Sequence, residues 1–464
     1  MSHELDGKPG DAATPAIAGD PSGASSNAPV RYRVYLKPGR DRAARVRHPW
    51  VFANSIERIE ATEDATPGDL GEVYTSQGEW LGLGMVNEGT PLAVRFLQFE
   101  PGEITGDWFR GRLREALALR ERLIPEKTDC YRLIHGEGDG LPGLVVDRYG
   151  DYIVVQCMSA GMARLEAFWT SALVDLFQPA GILERSHRAR RDKNLQRGDV
   201  VLHGSEPPED LVVTECGHRF QVDLRTGQKT GFYLDQRENR RLLARVAPGG
   251  SVLNLFAYSG GFSIYAGAEG DAQRMVAVET SNAARRLLET NWALNDLPPD
   301  RLTIVGDSAQ TYLRETTETF DLIILDPPAF AKERRTVEKA ARAYKDVNLW
   351  AMKRLRPDGF LATFSCSQHI DPDLFQKIIF GASIDAGRPL QWVRRLGPGP
   401  DHPVHLDHPQ GEYLKGLLLR AVRSGHRVES APGQDSRLLP GAPTGAPAGP
   451  PSGPVADSRE TPGS

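Results

Sequence analysis

FDLIILDPPAF, residues 320–330, sets four consecutive aliphatic residues ahead of an acid, two prolines and an aromatic. A short apolar run closed by turn residues fits a strand buried on both faces. Pro327 and Pro328 end it and fix the backbone behind Asp326. The same pattern recurs outward in both directions. SVLNLFAY (251–258), RMVAVET (274–280) and RLTIVGD (301–307) precede it, GFLATFSCS (359–367) follows, and helical segments separate them. That alternation predicts a mostly parallel, doubly wound α/β sheet from about residue 216 onward.

Further out, the organisation changes. Residues 30–102 carry short alternating stretches such as GEVYTS and PLAVRFLQF, a β-rich module. Residues 103–215 mix the helical run DWFRGRLREALALRERLI, a hairpin with a Gly-rich turn in YRLIHGEGDGLPGLVVDRYGDYIVVQCMS, and a second helix in ARLEAFWTSALVDLF. The α/β domain then spans 216–424. Residues 1–29 and 425–464 are Gly-, Ala-, Pro- and Ser-rich, too poor in large apolar residues to offset ordering entropy, and are expected to be disordered tails. With 40% hydrophobic and 25% charged residues the chain has the balance of a soluble protein. No run of about 18 apolar residues offers a membrane span, and no leader pattern opens the chain. Cys130, Cys157, Cys216 and Cys366 lack metal-ligand spacing, so the expectation is a reduced cytoplasmic protein without a structural metal.

Ligands of open α/β sheets bind beyond the strand carboxyl ends. LNLFAYSGGFS (253–263) runs a buried strand through Phe256, Tyr258 and Ser259 into Gly260 and Gly261, where the backbone can approach a ligand. Glu279 ends the next strand, placed for ribose hydroxyls, and Asp307 ends the third, placed for an adenine amino group. The turn lacks the G-x-G-x-x-G that a pyrophosphate needs, which disfavours an oxidoreductase and suits S-adenosylmethionine.

On the fourth and fifth strands, Asp326 and Cys366 stand at equivalent ends. A thiolate added to C6 of cytosine makes C5 nucleophilic, and an acid at N3 stabilises the adduct. Phe330 is placed to stack on a flat base. The polar segment DLRTGQKTGFYLDQRENRRL (223–242), with Lys229, reads equally as a lid or RNA entrance and as a loop followed by a capped helix.

Taken together, GQKTGFYLDQRENR, LNLFAYSGGFS, DLIILDPPAF, YKDVN, TFSCS and GEYLKGLLLR resemble the RlmI type of bacterial large-subunit ribosomal RNA methyltransferases. The resemblance runs from about residue 30 to 424. It implies a class I, Rossmann-like methyltransferase domain preceded by a PUA-like RNA-binding domain and a small α+β domain. It also implies 5-methylcytosine as the product in 23S ribosomal RNA, and homodimers as a common state. The cofactor positions fall on Tyr258, Gly260, Glu279, Asp307 and Asp326, and the nucleophile on Cys366. One departure stands out: many RNA cytosine methyltransferases carry Pro-Cys where this chain has Pro327-Pro328, so product release needs another base. Similar sequences modify guanine N7. A nitrogen-directed methyltransferase, or a non-catalytic RNA-binding protein of the same fold, are the alternatives.

The net charge of -5 says little about nucleic acid, but the stretch holding Arg31, Arg33, Lys37, Arg40, Arg42, Arg45 and Arg47 interleaves Tyr32, Tyr35 and Trp50. Arg33, Lys37, Arg40 and Arg47 are the expected phosphate contacts there. A second basic cluster runs from Arg185 to Lys193.

Overall fold

The computed structural model describes residues 27–422, apart from 187–194, 196, 197, 247 and 332. The two stretches expected to form tails lie outside the described residues, except 27–29. Where aliphatic and aromatic residues alternate or run together, the chain forms strands, and these gather into four sheets.

The first sheet joins β1 (Val30–Leu36), β2 (Trp50–Phe52), β3 (Ile56–Ala61), β4 (Leu70–Tyr74), β5 (Trp80–Val86) and β6 (Leu92–Gln98), with the four-residue helix α1 (Arg42–Arg45) after β1. Its order is β2-β6-β5-β4-β1-β3, antiparallel except for the β1–β4 pair. Along β1, Tyr32, Val34 and Leu36 are buried while Arg33 faces out, the two-residue period of a half-buried strand.

Next, Thr105 caps α2 (Gly106–Leu123) by accepting from the Trp108 N–H, and the helix buries Phe109, Leu113 and Ala116. A mixed sheet of order β11-β10-β9-β8-β7 follows, built from β7 (Cys130–His135), β8 (Leu144–Tyr149), β9 (Tyr152–Cys157), β10 (Gly181–Arg185) and β11 (Asp199–Gly204). Helices α3 (Ala160–Arg164) and α4 (Glu166–Phe177) cross over between the parallel strands β9 and β10. The expected single hairpin is thus three strands, because Gly150, at φ 60, makes a second tight turn with Asp151. Leu70, Leu83, Met85 and Leu97 of the first sheet pack in one core with Phe109, Leu113 and Trp169, so the interior is continuous past residue 102.

A two-stranded ribbon, β12 (Val212–Glu215) and β13 (His218–Gln221), leads to α5 (Arg237–Ala244) and the large sheet. There, β14 (Ser251–Leu255), α6 (Gly261–Ala268), β15 (Arg274–Val278), α7 (Asn282–Leu294), β16 (Leu302–Val305), α8 (Ala309–Glu315), β17 (Phe320–Leu325), α9 (Val337–Lys353), β18 (Leu355–Ser365), α10 (Pro372–Ala386), β19 (Leu390–Leu396) and β20 (Lys415–Ala421) follow in turn. The strand order is β16-β15-β14-β17-β18-β20-β19. Six of the seven strands run in one direction, and β20 runs antiparallel between β18 and β19. The order reverses between the neighbours β14 and β17, which opens a crevice beyond their carboxyl ends. No helix among the described residues is long and apolar enough to cross a membrane.

Candidate active site

The turn leaving β14 carries unusual backbone. Phe256, Tyr258 and Gly260 all have positive φ, at 60°, 47° and 85°. Two of these are aromatic residues, for which that region is costly, and such strain persists where surrounding contacts impose it. Here they are visible. The Tyr258 N–H donates to Glu279 at 2.9 Å, and its hydroxyl accepts from the Gln228 N–H at 3.0 Å and donates to the Gly231 carbonyl at 3.1 Å. The other Glu279 oxygen accepts from the Ser281 N–H at 2.9 Å. Glu279 is thereby fixed with lone pairs to spare at the edge of a cavity of about 220 Å³.

Phe232, Phe256 and Tyr258 give that cavity flat apolar walls, and Glu279, Ser259, Gln236 and Asp326 its polar points. The Ser259 hydroxyl is buried and has no hydrogen-bond partner among the described residues. Arg240 also lines it, but its guanidinium is held by Glu215 at 2.9 and 2.6 Å. An orphaned hydroxyl, an anchored carboxylate and aromatic walls fit a nucleoside-bearing cation such as S-adenosylmethionine.

Two expected cofactor positions sit differently. A Cβ on Gly260 would lie 2.7 Å from Leu288 Cγ and 2.9 Å from Ile264 Cδ1, so packing and φ already require glycine there. Asp307 is outside the lining of this cavity, and its carboxylate accepts from the Ser308 N–H at 2.5 Å.

On the other side of the crevice, Leu325 of β17 pairs with Thr363 of β18, which brings the ends bearing Asp326 and Cys366 together. Ser365 and Ser367 are buried and pinned, both to the Tyr344 hydroxyl, at 3.1 and 3.0 Å. Lys415 clamps the same turn by donating to the Ser367 and Ile370 carbonyls at 2.7 and 2.6 Å. Cys366 between them remains partly exposed. Phe330 packs its ring on Tyr344, centroids 4.6 Å apart, so it supports this turn. Burial, then the neighbouring Asp235, pushes Asp326 up to about 7. Burial, then Asp326, pushes the Cys366 thiol up to about 11. Lys229 opposes both shifts.

The segment from 223 to 242, ambiguous in sequence, is neither loose nor peripheral. Thr230 donates to Asp147 at 2.6 Å, and the Phe232 N–H donates to the Tyr149 hydroxyl at 3.2 Å. Lys229 is paired with Asp235, and its Nζ lies 4.3 Å from the centre of the Tyr233 ring. Asp235 also accepts from the Tyr413 hydroxyl. Burial would lift Asp235, yet Lys229 and His402 hold it well below the usual carboxylate range. Gln236, Asn239 and Tyr413 went unrecognised in the sequence. Polar residues opening a helix read as caps unless their buried partners are known.

Much of the N-terminal basic stretch is matched by local acids. Arg31 pairs with Asp64 and Asp69, Arg45 with Asp41 and Glu79, and Arg47 with Glu100. Arg33 is exposed, but Glu60 and Glu72 stand opposite it on the flanking strands. Lys37 donates to the Asn54 carbonyl, and Arg40 is exposed in the turn that follows. Of the second cluster, Arg185 is fully buried and donates to the Gly227 carbonyl at 2.9 Å, so it belongs to no basic face. Residues 187–193 lie outside the described residues.

This strand order, with its cavity at the β14–β17 switch, defines an S-adenosylmethionine-dependent methyltransferase. The family model of that description matches residues 172–420, and a PUA-like domain matches residues 34–99. The chain belongs to the family of ribosomal RNA large subunit methyltransferase I. It is 39% identical to the protein of that name from Aliivibrio fischeri over 84% of its own length and 99% of the relative's. The relatives from Shewanella amazonensis and Aeromonas salmonicida are 41% and 40% identical, each again over 84% of this chain and 99% of theirs. Among solved structures, SMU.776 complexed with SAH superposes with a TM-score of 0.72 at 20% identity, over 84% of this chain and 99% of that one. A SAM-dependent methyltransferase from Streptococcus mutans gives 0.72 at 19%, with the same coverage.

Proposed function

We propose that this enzyme forms 5-methylcytosine in large-subunit ribosomal RNA through a covalent bond between Cys366 and C6 of the base. One observation carries the reading: Asp326 and Cys366 each directly follow the ends of adjacent parallel strands, Asp326 lines the cofactor cavity, and its charge acts on the Cys366 thiol. The relatives' name, ribosomal RNA large subunit methyltransferase I, supports the substrate class and with it a cytoplasmic place of action. Phe256, Tyr258, Ser259 and Glu279 would hold the cofactor. When bound, S-adenosylmethionine supplies an electrophilic methyl group.

The chain's own groups do the rest. As the Cys366 thiolate bonds to C6, the C5=C6 pair moves to C4–C5. The C4=N3 pair moves to N3, which takes the proton of Asp326. C5 becomes nucleophilic through that shift. Once C5 is methylated, its proton passes to a base, N3 returns its proton to Asp326, and the C6–S bond breaks. Pro327 and Pro328 occupy the place of a second thiol, so that base is not a cysteine on this turn.

A nitrogen-directed reaction draws on one specific observation: burial holds Cys366 in the thiol form, with its pKa near 11. The two readings part in one experiment. Labelled S-adenosylmethionine and large-subunit RNA are incubated with wild type and Cys366→Ala, and the product nucleoside is identified. Labelled 5-methylcytosine that vanishes in the variant is the expected result. A methylated guanine, or full activity without the thiol, would transfer the conclusion to a ring nitrogen.

A further inference from the structure

Gln236, buried in the 3-10 turn immediately before α5, makes contacts that fix its orientation completely. Asn239 donates from one amide nitrogen to the Gly397 carbonyl at 2.9 Å and to Gln236 Oε1 at 2.6 Å. A backbone carbonyl only accepts, so the Asn239 NH2 must face this way, and the oxygen of Gln236 must face Asn239. The Gln236 NH2 is therefore left to donate to Asp326 Oδ2, at 2.9 Å.

An NH2 group cannot accept. The Asp326 oxygen facing it must itself be an acceptor, and a proton on this carboxyl resides on Oδ1. We propose that Gln236, oriented by Asn239, is a positioning residue that keeps Asp326 Oδ2 unprotonated and presents the proton on Oδ1 to the substrate base. The proposal rests on the reading that Asp326 acts as the acid at N3. It gives the segment 223–242 a role in the reaction distinct from that of a lid. Without the Gln236 donor the two carboxyl oxygens become alternative proton sites, and productive geometry is lost in part.

The charged and titratable groups facing Asp326 come from several elements. Asp235, Lys229, Tyr233 and Arg240 belong to the segment before the large sheet, Cys366 to the end of β18, and Glu279 to the far side of the cavity. The active pair holds one proton between Asp326 and Cys366. With Asp326 near 7 and the thiol near 11, kcat/KM rises through the first value and levels off until the second, whichever group carries that proton. The Gln236 hydrogen bond favours the ionised carboxylate, so its removal moves the acid limb upward.

The test uses the full-length enzyme with Gln236→Met, which keeps length and loses the donor, and Asn239→Asp, which releases the Gln236 orientation. Both are compared with wild type for the pH profile of 5-methylcytosine formation, for kcat and KM, and for S-adenosylhomocysteine affinity by calorimetry. In Gln236→Met the acid limb should move up by about one pH unit, with kcat about tenfold lower and KM for RNA within about twofold. Asn239→Asp should shift the limb in the same direction by less. Both should still bind S-adenosylhomocysteine, which shows that they fold. An unmoved limb in both variants, or a loss that tracks cofactor affinity alone, would reduce Gln236 to a wall of the cavity and overturn the proposal. Asp326→Asn separates this from the underlying reading: if that variant keeps full activity, the reading and the proposal fall together.

Discussion

Burial acts on two acids at this site with opposite consequences for the proposed chemistry. It keeps Asp326 protonated to higher pH, which serves an acid at N3, and keeps Cys366 protonated too, which opposes a nucleophile. The balance is set by single charges: Asp235 raises both groups, and Lys229 lowers both. Replacing Asp326 with Asn removes the proton at N3 and one of the two titrations. The expected loss in kcat is about 10²–10⁴-fold, the usual range for a positioned general acid. The pH profile should change shape as well. The limb near 7 disappears, and the rate climbs toward the thiol's own value. That value itself falls below about 11, because the Asp326 charge that raised it is gone. A profile that still bends near 7 in Asp326→Asn would assign that limb to another group.

At the scale of the element, the strand–turn–helix from β14 to α6 shows what a sequence can and cannot disclose. Its place in the fold was legible in LNLFAYSGGFS, because a buried strand ending in small residues is a local pattern. The strands carrying Glu279, Asp326 and Cys366 were legible for the same reason. The reason for Gly260 was not, since it depends on Leu288 in α7 and Ile264 in α6. Gly260→Ala combines a φ of 85° with a Cβ 2.7 Å from Leu288, so it should cost about 2–4 kcal/mol, strain and overpacking together. Thermal unfolding of the variant checks this, and a change below about 0.5 kcal/mol would mean that the turn relaxes around the added methyl. The segment 223–242 was the least legible, because its partners Asp147, Tyr149 and Gly397 are contributed by distant parts of the chain. Asp307 follows β16 but does not line the cavity.

Across the whole molecule, one carboxylate joins what the sequence presents as separate domains. Asp401, in the connection between β19 and β20, is fully buried and accepts from Arg237 at 3.2 and 2.9 Å, 164 residues away in sequence. It also accepts from the Arg132 N–H at 3.0 Å, and its carbonyl accepts from Arg120 at 2.8 Å. Close by, His408 of the same connection meets Trp50 of β2, ring centroids 4.3 Å apart. The segment before the large sheet, the middle sheet and the N-terminal sheet therefore share this connection. Burial alone would raise Asp401, but His402 and Arg237 hold it far below the usual range. Its contribution to stability is thus fully present above the unfolded value near 4 and is lost only as pH falls through the depressed folded value. Removing the carboxylate is another matter, because it strands a buried guanidinium. Asp401→Leu should destabilise by roughly 3–5 kcal/mol and lower Tm by on the order of 10 °C. Arg237→Met combined with Asp401→Leu should recover part of that loss, since no buried cation then lacks its partner. If the double variant melts lower than Asp401→Leu by the full effect of Arg237→Met alone, the two residues are energetically independent. Asp401 would then hold the three parts together through Arg132 and Arg120 instead.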